Sequence, residues 1–355
     1  MATFEPEDFG LSQSELWDAP RKTFAQLDDR LSDAGFVGLR IAAPRLVPLG
    51  VRETFPLVVY HSATFEARRD ASVEDQGAVV AVELLSNRTY AREPLLQRPE
   101  RVKPTRVPPA SPAPRGLIAQ ILVTELRERL GLPWTRGRYL VTALLRDEVS
   151  NRLVVEVDRS PVAHRDEEVE RYLAAQRIER APKDAWPTPG DPYPHYRREP
   201  AHPPTPSDVG IAMTADRVSV RREGGAVPGS ALGRCVVRGS FRLPVLPHEV
   251  MPPATARSAG DRPTALVGIG LVILGSEEAD PFVLQLRVPS YDPIGPTARV
   301  VTGHFALDLL AMDEMPERAQ TYFLYAFSGE EMAGPIRAAI LTEDMLPSAP
   351  ETAID

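Results

Sequence analysis

The sequence predicts a mainly β protein: two β-sandwich domains with one or two short helices, joined by a proline-rich linker. Three observations predict it. Short β-branched and aromatic runs, bounded by Gly, Pro, Asn and Ser, recur through both halves of the chain. Residues 181–206 (APKDAWPTPGDPYPHYRREPAHPPTP) hold nine prolines in 26 positions. Proline fixes φ and lacks an N–H, so that stretch forms neither a helix interior nor a central strand. Finally, 355 residues are enough for two cores of ordinary size.

The elements follow in order. Residues 1–20 read as an apolar arm in which Phe4, Phe9, Leu11, Leu16 and Trp17 have no clear period and Pro6 and Pro20 punctuate the run. Such an arm docks on its own domain or on a neighbouring subunit. Residues 21–34 place Phe24, Leu27 and Leu31 at helical spacing, with Gly35 as the stop. Strands are expected over 36–49, 55–65, 78–85, 116–126, 138–146 and 152–157, the last two joined by a turn at 147–151. Seven prolines make 94–114 a long surface loop. Residues 165–180 (RDEEVERYLAAQRIER) carry acidic side chains in the first turns and Arg177 and Arg180 in the last, which suits a helix closing the domain 21–180. Beyond the linker, the domain 207–355 offers strands at 211–220, 233–245, 265–274, 281–289, 300–310, 321–327 and 335–341. Several alternate polar and apolar residues, as in VVRGSFRLPV and HFALDL. No internal repeat of fixed period is visible.

Gly137-Arg138-Tyr139 heads a late strand of the first half. A glycine followed by a tyrosine at such a strand start resembles the tyrosine corner of immunoglobulin-like sandwiches. The resemblance covers some 20 residues and implies fold only, so the two domains are expected to be immunoglobulin-like or jelly-roll-like.

Composition narrows the function classes. The formal charge is −8 and neither half is basic, which argues against sequence-independent nucleic-acid binding. The longest apolar run, at 265–275, is too short to span a bilayer, and the first residues lack a signal-peptide pattern. The expectation is a cytoplasmic protein with no membrane or nucleic-acid partner. The single cysteine, Cys235, excludes an intrachain disulfide and lies in an apolar run, as a buried small hydrophobe does.

The candidate sites are few. His304 and Asp308 stand at i and i+4, on one face of a strand, and Ser328 lies on another strand. They are the weak catalytic candidates for a hydrolase. The glycines Gly268, Gly270 and Gly275 sit inside an apolar run, not between a strand and a helix, so they read as ordinary strand glycines. His248-Glu249 lies among prolines and reads as loop surface, and Asn87-Arg88-Thr89 is a glycosylation sequon of no weight without a signal peptide. None of the six histidines has metal-ligand spacing, and Glu277, Glu278 and Asp280 read as a solvated turn. No cofactor is expected. Partner-binding candidates are the arm residues Phe4, Phe9, Leu16 and Trp17 and the linker residues Trp186, Tyr193 and Tyr196.

The leading expectation is therefore a non-enzymatic interaction or structural protein. It would be an adaptor or assembly subunit that binds a protein partner or itself. A hydrolase with a loop-built site in the second domain or at the domain interface is the first alternative. A carbohydrate- or peptide-binding module is the second.

Overall fold

A computed structural model describes residues 11–22, 27, 36–50, 52, 54–64, 77–92, 117–159, 202–221, 234–251, 264–277, 281–290, 300–312 and 319–342. The sequence-predicted loop 94–114, helix 165–180 and linker residues 181–201 lie outside them, as does most of the predicted helix 21–34.

The chain is mainly β. The first half contains β1 (Gly38–Ala42), β2 (Leu46–Pro48), β3 (Pro56–Thr64), β4 (Gly77–Glu83), β5 (Arg88–Arg92), β6 (Leu117–Glu125), β7 (Gly137–Leu145), β8 (Glu148–Val149) and β9 (Leu153–Asp158). The second contains β10 (Gly210–Ala215), β11 (Val218–Arg221), β12 (Val236–Pro244), β13 (Val250–Met251), β14 (Thr264–Gly275), β15 (Phe282–Pro289), β16 (Val300–Asp308), β17 (Gln320–Ser328) and β18 (Glu331–Thr342). The short α-helices α1 (Gln13–Asp18) and α2 (Leu126–Leu130) lie among the described residues beside them.

These strands build four sheets. Sheet I has the order β1-β3-β6, and sheet II the order β2-β9-β7-β4-β5 with β8 on β7. Sheet III runs β11-β18-β17-β14-β13, with β15 also on β14, and sheet IV runs β10-β12-β16. The two halves repeat one topology. Sheets I and IV match strand for strand, and β2-β9-β7-β4-β5 corresponds to β11-β18-β17-β14-β15. Each half even carries one parallel pair at the same place, β2 with β9 and β11 with β18. The repeat is invisible as sequence periodicity because it resides in strand order.

Alternation along the strands distributes the cores. Val79 and Ala81 of β4 join Tyr139, Val141 and Ala143 of β7 in a cluster shared with Leu57 and Val59 of sheet I. In the second half, Ile269 and Leu271 of β14 meet Phe241 and Phe305 of sheet IV. The intervening residues face the other way, and they are apolar too. Ala78, Val80 and Val82 of β4 and Leu140 and Leu144 of β7 pack against Val272 and Leu274 of β14 and Phe323, Tyr325 and Phe327 of β17. Sheets II and III are thus buried on both sides, and the layers follow the order I, II, III, IV. All seven residues of β4 are buried. The two halves therefore share an apolar interface.

The N-terminal segment covers the outer side of sheet I. Ser12 caps α1: its hydroxyl accepts from the Glu15 N–H at 3.4 Å, and the Glu15 carboxylate accepts from the Ser12 N–H at 2.9 Å. This Ser-x-x-Glu capping box was legible in SQSE but lay inside the stretch read as an arm. Leu16 and Ala19 then pack with Leu27, Ala42, Val58 and Tyr60, while Trp17 joins the cluster between sheets I and II. At the start of β7, the Tyr139 ring folds back so that a Cβ on Gly137 would lie 3.0 Å from it. The buried Tyr139 hydroxyl donates to the Pro133 carbonyl at 3.5 Å.

Candidate functional site

The three catalytic candidates fall in two different sheets, each with a local task. His304 and Asp308 belong to β16 in sheet IV. Asp308 Oδ1 accepts from the N–H of Cys235 at 3.1 Å and of Leu310 at 3.2 Å, so it caps the 3₁₀ turn Leu309–Ala311. Arg234 Nε lies 3.6 Å from its other oxygen. The His304 ring stacks on His202, with centroids 4.9 Å apart and planes 20° apart, and its Nε2 is 3.4 Å from Thr205 Oγ1. Ser328 ends β17 in sheet III, buried, and its hydroxyl donates to the Gly268 carbonyl at 2.8 Å. A backbone carbonyl cannot accept that proton as a general base, so this bond positions the strand end and does not activate a nucleophile.

The partner-binding candidates divide similarly. Leu16 and Trp17 are only 4% and 7% exposed. They are buried within their own chain, the first of the two dockings expected of the arm, as helix α1 packs on sheet I. Phe4, Phe9, Trp186, Tyr193 and Tyr196 lie outside the described residues.

The most constructed polar region is the seam between sheets II and III. Glu249, read from sequence as loop surface, is 3% exposed there. Its Oε1 accepts from Asn87 Nδ2 of the other half at 2.8 Å and from the Gly268 N–H at 2.8 Å. Its Oε2 accepts from the Leu246 N–H at 2.9 Å. Burial holds this carboxyl above the usual carboxylate range; the three donors and the Arg287 charge pull it down without winning. Asn87 adopts φ 57°, a left-handed turn that asparagine tolerates, and this aims its amide across the seam. Its burial also removes the sequon from the folded surface.

Further bonds join the halves. Gln285 Oε1 accepts from the Thr89 N–H at 3.3 Å, and Gln285 Nε2 donates to the Thr89 carbonyl at 2.5 Å. Thr89 and Gln285 stand on β5 and β15, which occupy equivalent places in the repeated topology. The Tyr325 hydroxyl donates to the Arg146 carbonyl, Arg337 pairs with Asp147, and Arg152 Nη1 donates to the Glu330 carbonyl at 2.5 Å. Strand β5 escaped the sequence reading because RTYAR is short and charged at both ends.

A second arrangement missed from sequence is His61, inside the first half. It is 4% exposed, and its Nε2 lies 3.6 Å from Glu148 Oε2. The pair connects β3 of sheet I with β8 of sheet II, and no motif spacing links residues so far apart. Among the described residues, no group of three or more His, Cys, Asp or Glu side chains is placed to hold a metal ion. Among them, too, no helix is long and apolar enough to cross a membrane.

Cys235 is fully buried, as its apolar run predicts. Burial, helped by the Asp216 and Asp308 carboxylates, pushes its thiol up to about 11, against a lowering hydrogen bond from Ser219. Since the thiolate is the reactive form, Ellman's reagent at pH 8 is expected to label the folded protein negligibly and to label it stoichiometrically in denaturant. Rapid labelling of the native chain would contradict this placement.

Set against models of known protein families, the chain matches none. Among curated proteins, likewise, none matches it.

Proposed function

We propose that this protein is non-enzymatic and acts through its surfaces, as a subunit of an assembly that it forms with itself or with a protein partner. In this reading each half is a β-sandwich of immunoglobulin-like or jelly-roll-like kind. Residues 181–206 connect the two, and the protein works in the cytoplasm.

The observation that carries the reading is the sheet II–sheet III seam. Clefts between domains are favoured places for ligand sites. Here that space is filled by Val80, Val82, Leu274, Phe323 and Phe327 and crossed by hydrogen bonds, and the catalytic candidate of sheet III, Ser328, is tied to a carbonyl. Such a rigid bar suits a building block, because an interface on one half is held in fixed geometry relative to an interface on the other. Among the described residues, sheet I ends in the strands β1 and β6, and sheet IV in β10 and β16; strand edges of this kind serve pairing between chains.

The experiment is solution mass by light scattering over a wide concentration range, on the full chain and on a variant lacking residues 1–10. The deletion removes Phe4 and Phe9 but spares helix α1. The full chain is expected to exceed its 39.0 kDa monomer mass, and the deletion to lower the assembly state. A strictly monomeric chain that hydrolyses an ester or peptide, and loses that activity in His304→Ala, would overturn the proposal in favour of a hydrolase.

A further inference from the structure

The repeated topology allows the two halves to be compared at one strand edge. Among the described residues, β2 ends one side of sheet II and β11 the same side of sheet III, each in parallel with its neighbour. The ladder to β9 uses Arg45, whose carbonyl accepts from the Glu156 N–H at 2.8 Å, and Leu49, whose N–H donates to the Asp158 carbonyl at 2.8 Å. The ladder to β18 begins likewise at Arg217, whose carbonyl accepts from the Ala339 N–H at 2.9 Å. Alternate residues of a parallel strand bond to one side. Leu46 and Pro48 of β2, and Val218 and Val220 of β11, therefore turn their backbone groups away from the sheet.

The first half blocks this edge. Pro48 has no N–H to offer, its carbonyl accepts from the Arg52 N–H at 3.1 Å, and Leu46 is fully buried. The second half leaves the same edge bare. Among the described residues nothing bonds to the outward backbone groups of Val218 and Val220, and the Val218 side chain is 61% exposed. Arg217, Arg221 and Arg222 border the strand. Against them stand Glu223 and Asp216, and Arg238 pairs with Asp216 at 2.8 Å.

We infer that the β11 edge receives the N-terminal segment, residues 1–10, of a second copy of this chain as an added antiparallel strand. The inference rests on the proposed self-assembly and names its contact. Charge and pattern select this occupant. The segment (MATFEPEDFG) carries Glu5, Glu7 and Asp8 and no basic side chain, which complements the arginines. Pro6 fits an added strand only with its missing N–H pointing outward, and that puts Glu5, Glu7 and Phe9 on the ladder. Setting Phe9 opposite Val218 covers the exposed valine with an aromatic ring and brings Glu5 opposite Arg222. Reach excludes the chain's own segment. Leu11 packs on the outer side of sheet I, three layers or about 30 Å from sheet III. Even Glu5, six residues before Leu11, extends at most about 22 Å from it.

The test is the solution mass of the full chain against concentration, by light scattering. Val220→Pro copies the proline of the blocked edge, and Phe9→Ser removes the ring from the segment. Each is expected to raise the association midpoint about ten-fold or more, as loss of a central contact does. Mixing the two variants should restore part of the association, because one brings an intact segment and the other an intact edge. Val218→Glu sets a like charge against the segment at an exposed position; it should weaken association equally, and it decides the matter if Val220→Pro folds poorly. An assembly whose midpoint is the same in Phe9→Ser and Val218→Glu as in the parent would overturn the inference and leave self-assembly standing. A parent chain that stays monomeric removes both. Loss of association on deleting residues 343–355, with Phe9→Ser unaffected, would assign the edge to the acidic C-terminal segment and overturn the inference as well.

Discussion

Replacing Gly270 with alanine is expected to destabilise the protein by about 3 kcal/mol or more, at the upper end of overpacking effects. The added Cβ would lie 2.0 Å from Thr89 Oγ1 and 2.3 Å from Thr89 Cβ. Neither atom is the end of a flexible chain. Thr89 is a short β-branched residue whose backbone N–H and carbonyl are held by the oxygen and nitrogen of the Gln285 side-chain amide. Relief requires β5 to move away from β14, and that opens the apolar cluster of Val80, Leu144, Leu274 and Phe327. The measurement is the urea midpoint of unfolding. The companion variant Thr89→Gly in the Gly270→Ala background removes both close atoms and should recover more than half of the loss. An alanine variant as stable as the parent would mean that β5 and β14 do not touch here. Because the apolar interface couples the halves, the parent is also expected to unfold in one transition by both fluorescence and circular dichroism.

The second large effect is at Glu249. Truncation to alanine strands three donors in a buried place: the Gly268 and Leu246 amides and the Asn87 side chain. Each orphaned buried group costs about 1–3 kcal/mol, so Glu249→Ala should lose about 3–5 kcal/mol. Glu249→Gln, which keeps an acceptor oxygen, should lose less and serves as the pH control. The sign follows from the direction of the shift. Burial raises the folded-state value of this carboxyl above its unfolded value. Its contribution is fully present below the ordinary glutamate range and is lost as pH rises through the raised value. Stability of the parent relative to Glu249→Gln should thus decline across that window and level off above it. Denaturant midpoints of both proteins from pH 4 to 7.5 decide the matter; parallel curves would mean that the group does not titrate differently in the fold.

Both positions teach what the sequence could and could not reveal. The strands were legible because alternation and β-branching are local: HFALDL became part of β16, and VVRGSFRLPV spans the whole of β12. The double burial of sheets II and III was also written locally, in AVVAVE and YFLYAF. Runs without polar interruption belong to strands covered on both faces. Gly270 looked like an ordinary strand glycine, although glycine in a strand interior often marks another segment's close approach. The neighbour that explains it, Thr89, is far away in sequence. Glu249 was misread for the same reason, since its cross-seam partner Asn87 comes from the other half and no spacing connects them. The pair His304 and Asp308 did share a strand face as expected, but a shared face does not bring Ser328, in a different layer, within reach.

The order in which this chain leaves the ribosome gives the outward side of sheet II a further meaning. The first half is complete once Asp158 has emerged, whereas its covering strands β14 and β17 end only at Ser328. At synthesis rates of about 5–20 residues per second, roughly 10–35 seconds separate these events. During that interval Ala78, Val80, Val82, Leu140 and Leu144 form a bare greasy wall on a nascent protein. Neighbouring nascent chains on one messenger present the same wall in close succession, so crowded translation is a circumstance that invites association between unfinished copies of this molecule.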